Sequence, residues 1–320
     1  PLTLMKARNC AHVPFPGGLV PIYVITRRNR FTVEASLVPE GTGPDIADQL
    51  RTTPAAREAG ARYERSPVAL HLPNSGRMTE LLETGTLGLA QITADLCLTG
   101  DRRLKDGGGH GADADGRLAD GPARRADGTA RQGDCTARGA DDTALRADGT
   151  TRRTAGTLLL VRYAGRWVSV DARMPNRLFA RCLEKNCLPP FQGYTAWRPE
   201  VRWGHSRVDF LLEAPGRPPC LVETKSCNLV EDGLALFPDA PTARGTRHLL
   251  ELAAAVQQGL RAAVVWFVQR DDASALAAHR VADPDFAQAL VRARAAGVEA
   301  YAYRCRVEPE GITVLDEIPV

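Results

Sequence analysis

Two acidic residues and a lysine are spaced along the sequence in a way that suits metal-dependent chemistry. Asp209 lies within one apolar run, and Glu223 and Lys225 close the next apolar run, residues 220–226. The intervening segment, residues 214–219, reads Ala-Pro-Gly-Arg-Pro-Pro, and such a concentration of proline and glycine predicts a turn. We therefore expect the two runs to be the strands of one hairpin.

The register of this hairpin follows from the position of its turn. A turn centred on Gly216 places Asp209 opposite Glu223 and Arg207 opposite Lys225. Because side chains alternate between the faces of a strand, all four of these side chains would share one face of the sheet. A shift of the turn by one residue would remove this direct opposition.

Two facing carboxylates repel each other unless a cation lies between them. A divalent metal resolves this conflict, and an oxygen-rich site that keeps several waters suits Mg²⁺ or Mn²⁺ better than zinc. The metal would activate a water molecule, and Lys225 would orient that water or stabilise the transition state. Asp209, Glu223 and Lys225 are therefore predicted to be catalytic, and the two acids to be metal ligands.

A purely structural role explains the same three residues, since a partly exposed group of ion pairs on a strand is common. The sequence that follows favours a functional role. The next predicted helix begins with Arg244, Arg247 and His248, and the positive end of a helix attracts phosphate. For His248, a place on the helix surface or at its cap is the alternative to such a contact.

A compositional boundary divides the chain. From residue 99 to residue 157 there is no Ile, Val, Phe, Tyr, Trp or Met, and the charges nearly cancel, so this segment predicts a disordered insertion. Arginine-rich segments can bind RNA, but the interleaved aspartates and the lack of aromatic residues favour a solvated linker. A second polar insertion is predicted at residues 41–66, with one short helix at 54–65.

Hydrophobic patterning predicts two architectures, one mainly before the insertion and one after it. The first consists of short strands that predict a small β-barrel. These strands are 20–25, 30–38, 68–72, 87–98 and 158–170. The second alternates helices and strands, which predicts an α/β fold with a mixed sheet. Its elements are helix 177–185, strands 197–203, 207–213 and 220–226, helix 242–258, strand 262–268, helix 283–296 and strand 298–307.

The composition limits the class of protein. The chain of 320 residues is long enough for two domains, and its formal charge of +3 means that any affinity for a polyanion must be local. The longest strongly apolar run, residues 262–268, is too short to span a membrane, and no signal peptide is recognised, so we expect a cytoplasmic protein without membrane contacts. The eight cysteines form no CxxC pair and are expected to be buried thiols.

Longer motifs resemble a known family. An Asp followed after about fourteen residues by Glu-x-Lys resembles the PD-(D/E)xK nuclease core. Further motifs are 73–78 (PNSGRM), 174–178 (MPNRL), 206–212 (SRVDFLL), 222–225 (VETK), 232–240 (DGLALFPDA), 242–245 (TARG), 248–249 (HL) and 268–270 (VQR). On these motifs, the chain as a whole is similar to the sugar fermentation stimulation protein A (SfsA) family. The resemblance implies an α+β protein of two domains. An OB-like barrel would comprise residues 1–98 with 158–172, and a nuclease-like domain with an αβββαβ core would comprise residues 173–320.

The resemblance also implies DNA binding and assigns residues to roles. Asp209, Glu223 and Lys225 fall on the nuclease motif, and Glu184, on the preceding helix, is a weaker candidate for a further metal-binding acid. Thr224 stands where the resemblance leads us to expect an aliphatic residue. The residues expected to contact nucleic acid are Arg28, Arg30, Arg207, Arg244, Arg247 and His248.

Two functions agree with these observations. The first is a phosphodiesterase that uses a divalent metal to cleave DNA or RNA. The second is a non-catalytic, DNA-binding regulator of sugar metabolism, built on a nuclease-like scaffold. The pair of acids favours the first, because a protein that only binds phosphate gains nothing from two carboxylates facing it. The expected partner is DNA, with RNA as an alternative, and the oligomeric state is left open, with a homodimer as one option.

Overall fold

The computed structural model describes residues 10–38, 67–93 and 154–320, together with the backbone of two short strands at 144–145 and 151–152. The chain forms two compact units, residues 1–93 with 154–320 and residues 94–153. Most of the insertion predicted at 99–157, and all of the one predicted at 41–66 with its helix at 54–65, lie outside the described residues.

The strands, in chain order, are β1 (His12–Pro14), β2 (Val20–Asn29), β3 (Thr32–Leu37), β4 (Val68–His71), β5 (Leu87–Ile92), β6 (Ala144–Leu145), β7 (Thr151–Arg152), β8 (Gly156–Tyr163), β9 (Arg166–Ser169), β10 (Ala196–Trp203), β11 (Ser206–Glu213), β12 (Cys220–Cys227), β13 (Val230–Glu231), β14 (Leu234–Phe237), β15 (Arg261–Val268), β16 (Ala275–Ala278), β17 (Glu299–Glu308) and β18 (Gly311–Ile318). The helices of the described residues are α1 (Met174–Lys185), α2 (Ala243–Gln257) and α3 (Pro284–Ala295), with a short 3₁₀ turn at Pro189–Phe191. In the second compact unit, β6 and β7 form an antiparallel pair.

Five strands close into a barrel, as the sequence predicts. They pair in the order β4-β3-β2-β5-β8, and β4 pairs with β8 to complete the circle, while β9 extends the sheet beyond β8. Closure satisfies the backbone groups that an open edge would leave unpaired. The turn between β8 and β9 is formed by Ala164 and Gly165, both with positive φ, which is the geometry of a tight hairpin turn.

A seven-stranded mixed sheet forms the other part of this unit, in the order β1-β18-β17-β15-β12-β11-β10. The strands β12, β15 and β17 run parallel to one another, and their other neighbours are antiparallel. The central strand β15 is covered on both faces, because all of its residues from Ala262 to Val268 are buried. Strand β1 pairs with β18 and therefore belongs to this sheet, although residues 1–98 are assigned to the barrel by the sequence analysis.

The helices cover both faces of the large sheet. On one face, α1 packs through Leu178, Phe179 and Cys182. On the opposite face, α2 and α3 pack against the alternate side chains of the same strands. All three helices agree with the predicted ones to within three residues at each end. Caps fix two of these ends, since Thr242 Oγ1 accepts a hydrogen bond from Gly245 N and Asp283 Oδ1 accepts one from Phe286 N.

Some elements were not expected from the sequence. Strand β18 and the small sheet β13-β14-β16 have no counterpart among the predicted strands, because their runs are short or carry charged residues that weaken the alternating pattern. Cys10 and Cys187 form a disulfide, which corrects the expectation of free thiols for that pair. Four other cysteines of the described part of the chain are free and buried, as predicted, and Cys97 and Cys135 lie outside it. Among the described residues, no helix is long and apolar enough to cross a membrane.

Candidate active site

The paired part of the β11–β12 hairpin has the predicted register, but the expected pairs of Asp209 with Glu223 and of Arg207 with Lys225 are not among its backbone pairs. Phe210 pairs with Val222, and the pairing continues through Leu211 with Leu221 to Leu212 with Cys220. The turn at residues 214–219 fixes this register, because it contains glycine at 216 with a positive φ and three prolines around it. The candidate site therefore lies just beyond the last pair, at the end of the hairpin that is distant from the turn.

Beyond Phe210, the side chain of Asp209 connects β11 to β12 in place of paired backbone groups. Its Oδ2 accepts hydrogen bonds from the backbone N–H of Thr224 and from Thr224 Oγ1, each at 2.8 Å. The hydroxyl of Thr224 also lies 2.9 Å from Asn176 Oδ1, at the start of α1. One carboxylate is thus fixed between two strands and a helix before any ligand binds.

Glu223 is the second carboxylate, and only 4% of it is exposed. Its Oε1 lies 2.5 Å from Lys225 Nζ and also contacts His248 Nδ1. Its Oε2 is buried and has no hydrogen-bond partner among the described residues. An unpaired, buried carboxylate oxygen is energetically costly, so this atom is suited to bind a cation.

The two carboxylates have opposite pKa shifts. Burial, and then the charge of Glu223, raise the pKa of Asp209, although the Thr224 amide, Lys225 and Asn176 oppose the shift. Burial alone would also raise the pKa of Glu223, but Lys225 and His248 outweigh it and hold that pKa below its usual value. Glu223 is therefore the carboxylate that stays ionised more readily, and the two acids influence each other electrostatically.

His248 lies on the buried side of α2 and is 3% exposed. Its Nε2 accepts a hydrogen bond of 3.4 Å from Arg244 Nε, which leaves the ring proton on Nδ1, the nitrogen that contacts Glu223. The expected contact of His248 with nucleic acid does not fit this burial. The structure instead makes His248 a residue that contacts Glu223 and helps to fix the orientation of its carboxylate.

Asn176 is a site residue that the spacing of acids and cations in the sequence does not single out. It lies in the first turn of α1, within the Met-Pro-Asn motif, and contacts Thr224 and Asp209. The sequence does contain one indication of this role, because Asn176 is a polar residue in the first turn of a helix that packs on the sheet through apolar residues. Thr224 alternates with Glu223 and Lys225 along β12, and its hydroxyl links Asn176 to Asp209.

Glu184, the weaker metal-ligand candidate, is not brought into this site. It lies in the last turn of α1, where its side chain is 50% exposed and pairs with Arg181 at 2.7 Å. It follows Asn176 by eight residues, which corresponds to about 12 Å along a helix. The acid contributed by the preceding helix in some nucleases therefore has no counterpart at this position, and the helix contributes Asn176 instead.

The predicted arginines lie at three places. Around α2, Arg244 is exposed beside His248, and Arg247 donates to Ser206 Oγ at 3.3 Å. On β11, Arg207 is exposed and donates to Glu200 at 2.9 Å. On the barrel, Arg28 pairs with Glu34 and Arg30 is exposed. A further barrel arginine, Arg27, donates to the backbone carbonyls of residues 29, 30 and 77 and therefore holds a turn together.

A loop of the barrel, residues 73–78, contacts the α/β part near the start of α1. The carbonyl of Pro73 accepts from Ala172 N at 3.0 Å, and Met78 N donates to Asp239 Oδ2 at 3.2 Å. Gly76 approaches the same carboxylate so closely that a Cβ at this position would lie 2.4 Å from Asp239 Oδ2. The PNSGRM motif therefore joins the barrel to the part of the chain that carries the candidate site.

Comparisons with known proteins agree with this architecture. The profile of the family described as "Sugar fermentation stimulation protein RE domain" matches residues 173–311. The structure of Pyrococcus furiosus SfsA in complex with Ca²⁺ superposes with a TM-score of 0.66 and covers 97% of this chain and 98% of that chain, at 23% sequence identity. This likeness establishes the shared fold.

Curated relatives are closer in sequence. The sugar fermentation stimulation protein homolog of Moorella thermoacetica is 52% identical over 163 residues, which cover 51% of this chain and 70% of that protein. The homolog of Symbiobacterium thermophilum is 52% identical over 168 residues, covering 51% of this chain and 67% of that protein. On this evidence, the chain belongs to the sugar fermentation stimulation protein (SfsA) family.

Proposed function

We propose that this chain is a phosphodiesterase of the PD-(D/E)xK type that uses a divalent metal to cleave nucleic acid. The observation that carries this proposal is the buried Oε2 of Glu223, which has no hydrogen-bond partner among the described residues and belongs to a carboxylate that interacts electrostatically with Asp209. A structural ion pair would leave neither of its carboxylate oxygens buried and unpaired, whereas a metal ligand requires such an oxygen.

The donor set fits a hard divalent cation. Two carboxylates from neighbouring strands offer oxygen atoms, and His248, the imidazole that contacts Glu223, has both ring nitrogens engaged. Oxygen ligands of this kind suit Mg²⁺ or Mn²⁺, and Ca²⁺ shares the same preference. The Pyrococcus furiosus SfsA structure, which has this fold, holds Ca²⁺.

Each residue of the site has a definable task. Asp209 and Glu223 would hold the metal, which when bound would neutralise charge on the scissile phosphate and lower the pKa of a water. Lys225 lies beside Glu223 with its Nζ 2.5 Å from Oε1, so its ammonium group can orient the attacking water or stabilise negative charge on the phosphate. His248 contacts the same oxygen through Nδ1 and helps to keep Glu223 in position.

Nucleic acid is the substrate class that these surroundings favour. The exposed arginines Arg244 and Arg247 lie on the helix that carries His248, and Arg207 lies two residues before Asp209 on β11. Such cations bind backbone phosphates without reading the bases, so we propose DNA or RNA as the partner. The closed barrel supplies a further surface of the kind that binds oligonucleotides in other proteins.

The test is cleavage of end-labelled single- and double-stranded DNA and RNA by the full chain in Mg²⁺, in Mn²⁺ and in EDTA. The isosteric variants Asp209→Asn and Lys225→Met should lose cleavage by at least about 100-fold, while Glu184→Gln, an acid on α1 outside the site, should retain it. Binding is measured in parallel in Ca²⁺. Binding that persists in both site variants, with no cleavage by the parent protein under any condition, would support the non-catalytic regulator instead.

A further inference from the structure

A second group of chemically reactive side chains lies away from the candidate active site. Cys10 precedes β1, Cys182 lies in the last turns of α1, and Cys187 follows that helix. The Sγ atoms of all three lie within 4.8 Å of one another. Cys182 is buried, whereas Cys10 and Cys187 are only partly buried, so the group can be reached from solvent on one side.

The backbone holds these residues in place from both sides. Cys10 N donates to Val314 O at 3.2 Å, which fixes Cys10 at the edge of the large sheet, and Cys187 N donates to Cys182 O at 3.2 Å, which fixes the two helix cysteines relative to each other. Cys10 and Cys187 form a disulfide with Cα atoms 5.5 Å apart. The disulfide alone requires no third sulfur, yet Cys182 Sγ lies 4.0 Å from Cys10 Sγ.

The arrangement does not suit thiol–disulfide exchange. For Cys182 to attack Cys10, its sulfur must lie on the extension of the disulfide bond, which would place it about 6 Å from Cys187 Sγ, given an ordinary S–S bond of about 2.05 Å. The observed limit of 4.8 Å between any two of the three sulfur atoms excludes that line. The three sulfur atoms form a triangle around a common centre instead.

A triangle of sulfur atoms is the geometry that a thiophilic metal requires. At a Zn–S distance of about 2.3 Å, tetrahedral geometry separates two bound thiolates by about 3.8 Å. The Cys10–Cys182 separation of 4.0 Å is already close to this value. Once the Cys10–Cys187 bond is open, side-chain rotation of these two residues can bring the other two Sγ–Sγ distances to this value, because both residues lie outside helices and strands.

We propose that Cys10, Cys182 and Cys187 form a Zn²⁺ site in the reduced protein, with a solvent molecule as the fourth ligand. A dithiol reductant opens the Cys10–Cys187 bond, giving one thiol on each residue while the reductant becomes a disulfide itself. Zn²⁺ then binds the three sulfur atoms as thiolates, and their three protons pass to solvent. The oxidised protein, which retains the disulfide, does not bind the metal. The site is independent of the proposed nuclease activity.

The experiment uses the full chain in an Asp209→Asn background, so that the carboxylate site does not contribute. The protein is reduced with a dithiol, which is then removed under anaerobic conditions. It is titrated with Co²⁺, whose thiolate complexes absorb strongly, and Zn²⁺ is then added as a competitor. We expect one Co²⁺ per chain with the charge-transfer intensity of three thiolates, displaced by Zn²⁺, and no such absorption in oxidised protein.

Variants distinguish a metal site from a simple disulfide. Cys182→Ser and Cys10→Ser should each weaken Co²⁺ binding at least about tenfold, while Cys220→Ala, at a buried free cysteine of the same core, should leave it unchanged. Absence of thiolate absorption in the reduced parent, or equal affinity in Cys182→Ser, would overturn the proposal. Should Cys182→Ser fail to fold, the partly exposed Cys10 provides the same test, since equal affinity in Cys10→Ser also contradicts it.

Discussion

His248 donates a hydrogen bond from Nδ1 to Oε1 of Glu223, and the same oxygen accepts a hydrogen bond from Lys225 Nζ. The other oxygen of this carboxylate remains buried and unpaired within the described residues. Two donors thus converge on one oxygen, and the second oxygen is the one that we propose as a metal ligand. The geometry of α2, which carries His248, is therefore coupled to the geometry of the site.

Replacing His248 by Ala should weaken metal-dependent activity by about 10- to 100-fold, the range seen when a residue that orients a metal ligand is lost. The reason is that Glu223 would lose one of its two donors and could rotate away from its present orientation. The measurement is the apparent Mg²⁺ constant for cleavage together with the maximal rate.

The control for this substitution is Leu250→Ala on the same helix, because Leu250 is 47% exposed and distant from Glu223 on the helix surface. His248→Asn, which keeps an N–H donor near the position of Nδ1, should restore part of the lost metal affinity. A His248→Ala protein with unchanged Mg²⁺ dependence would show that His248 only fills space in the core.

Asp209→Asn should stabilise the metal-free protein at neutral pH. Burial and the charge of Glu223 raise the pKa of Asp209, so its ionised form costs folding free energy that a neutral amide avoids. The hydrogen bonds from Thr224 can still be accepted by the Asn carbonyl oxygen. We expect a gain of up to about 1 kcal/mol, the upper end of the range for like charges on neighbouring strands.

The sign of the pH dependence follows from the raised pKa. The folded protein binds a proton at Asp209 more tightly than the unfolded chain does. The loss of folding free energy caused by ionised Asp209 is therefore full above its pKa in the folded protein, and it vanishes below the ordinary pKa of 3.8. The advantage of Asp209→Asn, measured by denaturant unfolding in EDTA, should therefore shrink as the pH falls towards 3.8. Added Ca²⁺ should make the parent protein more stable than Asp209→Asn, because only the parent would be stabilised by binding it. A variant that is less stable than the parent in EDTA at neutral pH would contradict this account.

The parts of this structure that local rules determine were predictable from the sequence. The register of the β11–β12 hairpin follows from the prolines and glycine of its turn, and it placed Asp209 near Glu223. The buried strand β15 and the three helices follow from hydrophobic patterning. The closed barrel was predicted from its short alternating strands.

Contacts that depend on the rotation of one element against another were not predictable in the same way. The role of His248 was missed, although its position among Gly245, Leu249, Leu252 and Ala255 follows the buried stripe of α2 and would have indicated burial. Strand β1 pairs with β18, the last strand of the chain. A run of only three residues carries no local pattern that would predict so distant a partner.

Asn176 and Glu184, both on α1, should differ in their effect on activity. Asn176→Ala removes contacts with Thr224 and Asp209, and we expect single-turnover cleavage to fall by about tenfold, the effect of one lost hydrogen bond of roughly 1.4 kcal/mol. Glu184→Gln removes only an exposed pair with Arg181, so its cleavage rate should stay within about twofold of the parent. Equal losses in the two variants would place Glu184 in the site and contradict the present assignment.

Gly76→Ala should weaken the contact between the barrel loop and the α/β part. The added Cβ would lie 2.4 and 2.6 Å from the two carboxylate oxygens of Asp239, so this side chain must move and release Met78 N. Loss of that hydrogen bond leads us to expect a destabilisation of about 1 kcal/mol, or a thermal midpoint lower by about 2–4 °C. Gly17→Ala, where a Cβ would meet nothing within 4 Å, is the matched control and should be neutral. In an Asp239→Ala background the clash disappears, so Gly76→Ala should cost much less there, and strictly additive effects would exclude the proposed contact.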